Sequence, residues 1–366
     1  MRRKRWIVLA LLPVLLLVGD FLHWRVAAGH LRAGFDGWAA RAQAAGWNVR
    51  HGDVTTGGWP DAATLRVDNL TITISDTIGR GGVNVGSLHL GGASLGSDAV
   101  VVRIRLARPD VMEITPVGLH PFKFKDGPSV PLSADLLRLR VIFGLSAFPQ
   151  EVDVDAITFG AALPNRGLVN IGHLNCHADL NPGAGRDEAV VMFSIAAQSV
   201  LLPAGMHFAL GRELGDLALE GVLNGPWPVG DKDPAELATA WRDAGGSLEL
   251  HRIAVGWGAG RMDATATLAL DEDLQPMGAG SGKIAGYNAA LDALSANAML
   301  TRSAAQAAKA VLSLLANTPS DGQPEEVEVP LTLQFRTLSV RQVPLIRFPE
   351  LEWTGHQSGG AGVLSR

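Results

Sequence analysis

One short apolar pattern recurs along this chain and limits what it can fold into. With h for an apolar residue and x for any other, the pattern is h-x-h-x-x-h-x-h. It occurs at Leu65, Val67, Leu70 and Ile72, and again at Val83, Val85, Leu88 and Leu90. Further copies are Val152, Val154, Ile157, Phe159 and then Val169, Ile171, Leu174, Cys176. The last two are Leu248, Leu250, Ile253, Val255 and Leu333, Phe335, Leu338, Val340. Alternation places the first two apolar side chains on one face of a strand. The extra residue would throw the next pair onto the other face. A β-bulge absorbs that residue and sharpens the local twist. The same spacing also fits a tight turn between two short strands. We read it as a bulge, which predicts a strongly curved sheet with one continuous apolar face.

Straighter strands lie between the copies. Val100, Val102, Ile104 and Leu106 alternate with Val101, Arg103 and Arg105. Met262, Ala264, Ala266, Leu268 and Leu270 alternate with Asp263, Thr265 and Thr267. This alternation suits antiparallel sheet with one covered face. Helices are few. Asp233-Pro234-Ala235-Glu236 carries an N-cap acid with proline at the first helical position. A second helical region, one interrupted helix or two short ones, runs from about Tyr287 to Asn317, stops at Thr318-Pro319, and is placed to cap the open end or groove of a curved sheet. The fold class expected is mainly β, an α+β chain whose N-terminal transmembrane helix precedes a curved antiparallel sheet.

The N-terminus sets the compartment. Arg2, Arg3, Lys4 and Arg5 precede Trp6–Leu22, WIVLALLPVLLLVGDFL, whose one charge is Asp20. That length is about the minimum for a spanning helix, roughly 17–25 residues. The basic cluster should stay cytoplasmic, which sends the rest across the inner membrane to the periplasm. A cleaved signal peptide is the alternative, with Val26-Ala27-Ala28 as the cleavage site. Asp20, His23, Trp24 and Arg25 interrupt the approach to that site, so an uncleaved single-pass anchor is expected. Leu31, Phe35, Trp38, Ala42 and Ala45 then continue an amphipathic helix. The divisions expected are an anchor over 1–22, a stalk helix over 23–46, a β-rich domain over 47–357 and a disordered tail over 358–366. The β-rich part is one unit or two halves meeting near residue 225.

Charge and cysteine content remove several function classes. The formal net charge is −5 with those four N-terminal cations included, so the body is more acidic still. Phosphate binding needs a dense basic surface, so nucleic acid is not an expected partner. Cys176 is the only cysteine, which excludes an intrachain disulfide and a multi-cysteine metal site.

The chemical motifs are weak. Gly92-Ala93-Ser94-Leu95-Gly96 matches a hydrolase elbow, but an elbow needs a helix after it and here another strand follows. His173, Cys176 and His177 look like metal ligands. In a strand Cys176 faces away from both histidines, and the histidines stand roughly 13 Å apart. Asp271-Glu272-Asp273 reads as a solvated turn, lacking the spaced oxygen ligands of a calcium loop. Gly278-Ala279-Gly280-Ser281-Gly282-Lys283 lacks the glycine and hydroxyl positions of a phosphate loop. No catalytic set, cofactor or metal is expected.

Several short motifs carry a resemblance. Ala45-Gly46-Trp47-Asn48-Val49 leads to Gly58-Trp59-Pro60 and a bulged strand. A second block holds Pro226-Trp227-Pro228, Trp241, Gly245-Gly246, Trp257-Gly258, Leu270-Asp271, Pro276 and Gly278. The third runs from Val329-Pro330-Leu331 to Pro344-Leu345. Together they resemble the uncharacterised domain-of-unknown-function family 2125 of proteobacteria, which has no established activity to lend. The strand pattern and single anchor are also similar to AsmA-like envelope proteins, thought to carry or shield lipid in a long apolar β-groove. That second likeness is one of fold alone. The repeated bulged strands with one apolar face, the membrane tether and the lack of a catalytic set point to an apolar ligand such as lipid, held by candidates Leu65, Val67, Leu70, Ile72, Val152, Val154, Leu248, Leu250, Leu333 and Phe335. Charged residues lining the groove would count against it. The alternative is an envelope assembly or scaffold protein that binds another protein through an exposed patch or strand edge.

Overall fold

The computed structural model describes residues 2–44, 47–74, 83–85, 88–89, 94–123, 129–144, 148–163, 165–186, 188–226, 234–297, 301–316, 326–340 and 343–353. One helix, α1 (Arg2–Ala44), comes first, with side chains described from residue 15 on. Two short strands, β1 (Trp47–Arg50) and β2 (Val54–Gly57), then pair with successive halves of β3 (Ala62–Ile74). The strand changes partner at Asn69, whose φ is 50°. This left-handed residue takes up the extra position of the first apolar copy. Leu65, Val67 and Leu70 therefore all turn toward α1, joined there by half-buried Ile72.

The chain passes through β4 (Val83–Val85) and β5 (Leu88–His89) before the main sheet resumes with β6 (Ser94–Arg105) and β7 (Arg108–Leu119). Small pieces follow: β8 (Phe122–Lys123), β9 (Ser129–Val130) and β10 (Leu132–Ser133). A long meander then begins with β11 (Leu136–Phe143), β12 (Pro149–Leu163), β13 (Gly167–Leu180), β14 (Ala189–Leu201) and β15 (Glu213–Asn224). Helix α2 (Pro234–Asp243) interrupts it, and β16 (Ser247–Trp257), β17 (Gly260–Leu270) and β18 (Pro276–Ala285) carry it on. Next come α3 (Tyr287–Ala296) and α4 (Arg302–Leu315). The sheet ends with β19 (Glu326–Gln334), β20 (Thr337–Val340) and β21 (Val343–Arg347); β22 (Leu351–Trp353) joins β4 and β5 in a separate small sheet. The main sheet is antiparallel, and its strands pair largely in chain order from β3 to β21. Pairing of β15 with β16 carries it past residue 225 without a break.

The region from Tyr287 is two helices, and α2 starts at Pro234. Asp233, Thr318-Pro319 and the tail over 358–366 lie outside the described residues. The stretch expected as a stalk is packed against the sheet: Leu31 and Ala42 are buried, and Phe35 and Trp38 lie half-buried beside them. A greasy stripe on a helix finds its lowest free energy against a sheet face, so it does not stand free in water.

A crease crosses the strands. Flanking pairs set Asn69 opposite Asp98, Asp98 opposite Gly118, and Gly118 in line with Asp135 and Thr158. The line continues through Gly172 and Ser199 to Gly215. Left-handed backbone recurs on alternate strands of this line, at Asn69, Gly118 (φ 63°), Thr158 (φ 52°) and Ser199 (φ 54°). Each such residue steps the alternation by one position, and repetition along a line bends the whole sheet.

Candidate functional site

Register defines one uninterrupted apolar row. Leu65 pairs with Val102, Val102 with Ile114, Ile114 with Leu139, and Leu139 with Val154. The row passes through Cys176, Ile195, Leu219 and Ile253, then Ala264, Gly282 and Val329. Paired residues point to the same side, so these positions share one face. The neighbouring row on the other face reads Arg103, Glu113, Arg140, Asp153, His177, Ser194, Glu220 and Arg252. One face is apolar and the other carries interleaved charges of both signs.

The apolar face is covered at its two ends. At one, α1 lays Ala28, Leu31, Ala39 and Ala42 on Ala63, Leu65 and Val67, and the sheet residues are 0–1% exposed. At the other, Tyr287, Leu291 and Leu312 from α3 and α4 pack on Val327 and Val329. Between the covers, where among the described residues no helix lies over the row, Val152, Val154, Leu174, Cys176 and Leu219 are half-buried and Ile195 is 38% exposed, while Val141 and Ala156 on the same face are buried. Burying an aliphatic side chain fully is worth about 1.5–3 kcal/mol, so this strip forgoes part of that stabilisation. An apolar molecule laid on it would recover the remainder.

The sequence candidates divide by place. Val152 and Val154 lie in the uncovered strip. Leu248 and Leu250 share that face and precede a register shift before Ile253, the bulge the pattern predicts. In the copy from Val169 to Cys176 the step falls at Gly172, and in the copy from Val152 it falls at Thr158. Ile157 therefore points to the polar face and is 43% exposed. Leu65, Val67, Leu70 and Ile72 lie under α1 instead of in an open groove. Leu333 is half-buried beside Leu338. Phe335 is a correction. With Arg336 it forms a two-residue hairpin turn, φ 49° and 63°, and it is 84% exposed. In the second copy Asn84 pairs with His89 and Val85 with Leu88, a hairpin without a bulge; Leu90 lies outside the described residues. The crease residues are what the sequence reading missed. Their signal is partial: Asn69 and Gly172 fall in the two-residue gap of their copies, whereas Thr158 falls after the gap and Ser199 lies in no copy.

The polar face holds the titratable clusters. Asp153 accepts from His177 Nδ1 at 2.8 Å and from Arg140 Nε at 2.8 Å. Burial works to raise the Asp153 carboxyl, but hydrogen bonds from His177 and Arg140 outweigh it and hold it below its ordinary value. The bond to Asp153, helped by Asp179, raises His177 against the opposing effect of burial. Glu151, Asp153 and His177 offer ligand atoms within 4.8 Å of one another. The Arg140 guanidinium already bridges both carboxylates, at 3.0 Å from Glu151 and 2.7 Å from Asp153. A metal ion would have to displace that cation. His173 bonds Asp155 at 2.7 Å, while Cys176 lies on the opposite face, where burial pushes its thiol up. Ser94 opens β6, which runs on as a strand, and it accepts from Thr73 Oγ1 at 3.2 Å. The arrangement is a strand and not a nucleophile elbow. A concave space of about 1590 Å³ beside the crease is lined by Arg212, Asp216, Arg252 and Asp263 among others. Those charges make it a poor home for an apolar ligand, so the candidate site is the uncovered apolar strip.

Among the residues whose side chains are described, which begin at residue 15, no helix is long and apolar enough to cross a membrane. The fold and the strip define a class: a helix-bound, open antiparallel sheet with one apolar and one charged face. The chain belongs to the family described as an uncharacterised protein conserved in bacteria (DUF2125), whose model matches residues 24–349. No curated protein matches it.

Proposed function

We propose that this chain is a single-pass inner-membrane protein of the bacterial envelope, and that its periplasmic sheet binds the acyl chain of a lipid on the uncovered apolar strip. It acts in this reading as a binding protein and not an enzyme. The observation that carries the reading is the unbroken row from Leu65 to Val329, closed by helices at both ends and, among the described residues, without a helix over it between them. The basic run Arg2 to Arg5 ahead of the apolar segment supports a cytoplasmic N-terminus. The test places a photo-crosslinking amino acid at Ile195 on the apolar face or at Met192 on the polar face of the same strand. Lipid adducts from Ile195 and not from Met192 are expected in cells fed labelled phospholipid precursor. Equal or absent adducts at the two positions would overturn the reading.

A second reading is docking of another envelope protein. Phe335 at 84% exposure and the outer edge of β21, which among the described residues pairs with β20 alone, favour it. Protein adducts from a crosslinker at Phe335, with no lipid adducts at Ile195, would put this reading first.

A further inference from the structure

The point where α1 meets the sheet carries an inference about how the sheet is set on its membrane. Leu15, Leu16, Leu17 and Val18 are 50–66% exposed. Four successive helical positions, 100° apart, reach every side of the helix, so no part of this turn is sheltered by protein. Two residues later the surroundings change. Trp59 Nε1 donates to Asp20 Oδ2 at 3.0 Å, and Trp24 Nε1 donates to the Gly57 carbonyl at 3.0 Å. Phe21 lies between the two indoles, 5.4 Å from Trp24 and 6.0 Å from Trp59. From Ala28 onward one face of the helix, with Ala28, Leu31, Ala39 and Ala42, is buried against the sheet.

We infer that the turn spanning 57–61, led by Trp59, sits in the headgroup layer of the bilayer, so that the β2–β3 end of the sheet rests directly on the membrane. The occupant of this surface is a phospholipid interface. An apolar helix turn exposed all round needs hydrocarbon, and Asp20 two residues further cannot lie deep within it at acceptable cost. The indole N–H of Trp59 holds that carboxylate at the level where the hydrocarbon ends. Trp59 and Phe21 stay 43% and 41% exposed, and amphipathic aromatic rings favour the interfacial depth. Because α1 enters the sheet within a few residues, no flexible linker separates the domain from the membrane, and the apolar strip keeps a fixed orientation to it.

The inference rests on the membrane-anchored reading, and its test separates the two. The full chain, in a Cys176→Ala background, carries a polarity-sensitive dye on Asp61→Cys or, as a control on the polar face, on His251→Cys. Both proteins are reconstituted into vesicles of phosphatidylethanolamine and phosphatidylglycerol, with or without brominated acyl chains. Expected are co-flotation with the vesicles, a blue shift and loss of most emission at position 61, and an unquenched dye at 251. Thr55→Cys, on the adjoining strand, gives the same readout should Asp61→Cys fail to fold. Failure to float overturns the anchor reading and this inference together. Flotation with an unquenched dye at 61 and 55, or with equal quenching at 251, overturns the docking alone.

Discussion

Gly172 stands opposite Ser199 across β13 and β14, and a Cβ placed on it would lie 2.9 Å from the Cβ of Ser199. Side-chain carbons do not approach so closely, so the left-handed turn of Ser199 needs a glycine beside it. Gly172→Ala should cost about 1–3 kcal/mol, the usual range for forcing a carbon into a filled site. Urea unfolding measures this. Gly183→Ala, with no atom nearer than 3.7 Å, should leave the midpoint unchanged. Equal midpoints for the two variants would mean that the crease is not strained in this way.

The two ends and the middle of the apolar row should respond differently to truncation. Leu65 is 1% exposed beneath α1, and Leu65→Ala should cost about 2–5 kcal/mol. Ile195 faces the same side but is 38% exposed, and its truncation should cost roughly 1 kcal/mol or less. Ile195→Asp should leave the chain folded and remove lipid adducts from a crosslinker at neighbouring Leu219. Strong destabilisation by Ile195→Ala would show that the strip is closed core and not an open face.

Alternation made the apolar face legible, because a period of two needs no knowledge of which strands pair. The same alternation made the antiparallel arrangement legible, but not which strands pair. The cover at the far end was legible, since the helical region from Tyr287 was expected to cap an open end of the sheet and α3 and α4 do pack on Val327 and Val329; the α1 cover was not, because that helix meets the sheet only through contacts distant in sequence. Phe335 misled for a local reason. A bulge and a two-residue hairpin leave the same apolar spacing, and only turn residues tell them apart. Two-residue hairpins usually announce themselves with Asn-Gly or Asp-Gly, whereas Phe335-Arg336 gives no such sign. The crease escaped for the opposite reason. Its small polar residues were visible, but their line across the sheet exists only once register is known.

The Asp153–His177 pair predicts a pH dependence. His177 is raised by its bond to Asp153, so its contribution is full below the ordinary histidine value, about 6.5, and is lost as pH rises through the folded value. Asp153 works in reverse: its contribution is present above the ordinary carboxyl value and is lost as pH falls through the lowered one. Both side chains are partly exposed, which keeps the effect small. Stability should therefore decline gently as pH rises past His177. Asp153→Asn should flatten that slope and return the His177 NMR titration toward its ordinary midpoint. An unmoved titration would mean that the bond does not persist in solution.

One side-chain amide, Gln275, ties the C-terminal strand to the end of the main sheet. Gln275 Nε2 donates to the Leu351 carbonyl at 2.9 Å, and Leu351 N–H donates back to Gln275 Oε1 at 2.9 Å. Trp353 Nε1 adds a bond to the carbonyl of Leu274, a residue with no exposure at all. Gln275→Leu keeps much of the volume and removes both bonds, at about 1–3 kcal/mol. Limited proteolysis should then cut near residues 348–353 while the main sheet resists. Unchanged cleavage would show that the Trp353 bond and the pairing with β4 hold the strand without Gln275.

Cys176 offers a direct reading of whether the apolar strip is filled. Its side chain lies on the strip between Val154 and Ile195, and burial raises its thiol above the ordinary value. Less thiolate at neutral pH means slow reaction with a maleimide even when the path is open. An acyl chain resting on Val154 and Ile195 would also block the path. Labelling of the full chain should thus be slow in lipid vesicles and faster after exhaustive delipidation in a short-chain detergent. The Cys176 rate in urea-unfolded protein sets the ceiling, which separates shielding from the raised thiol. Equal rates in vesicles and after delipidation would mean that no lipid occupies the strip at this point, and would move the proposed function toward a protein partner.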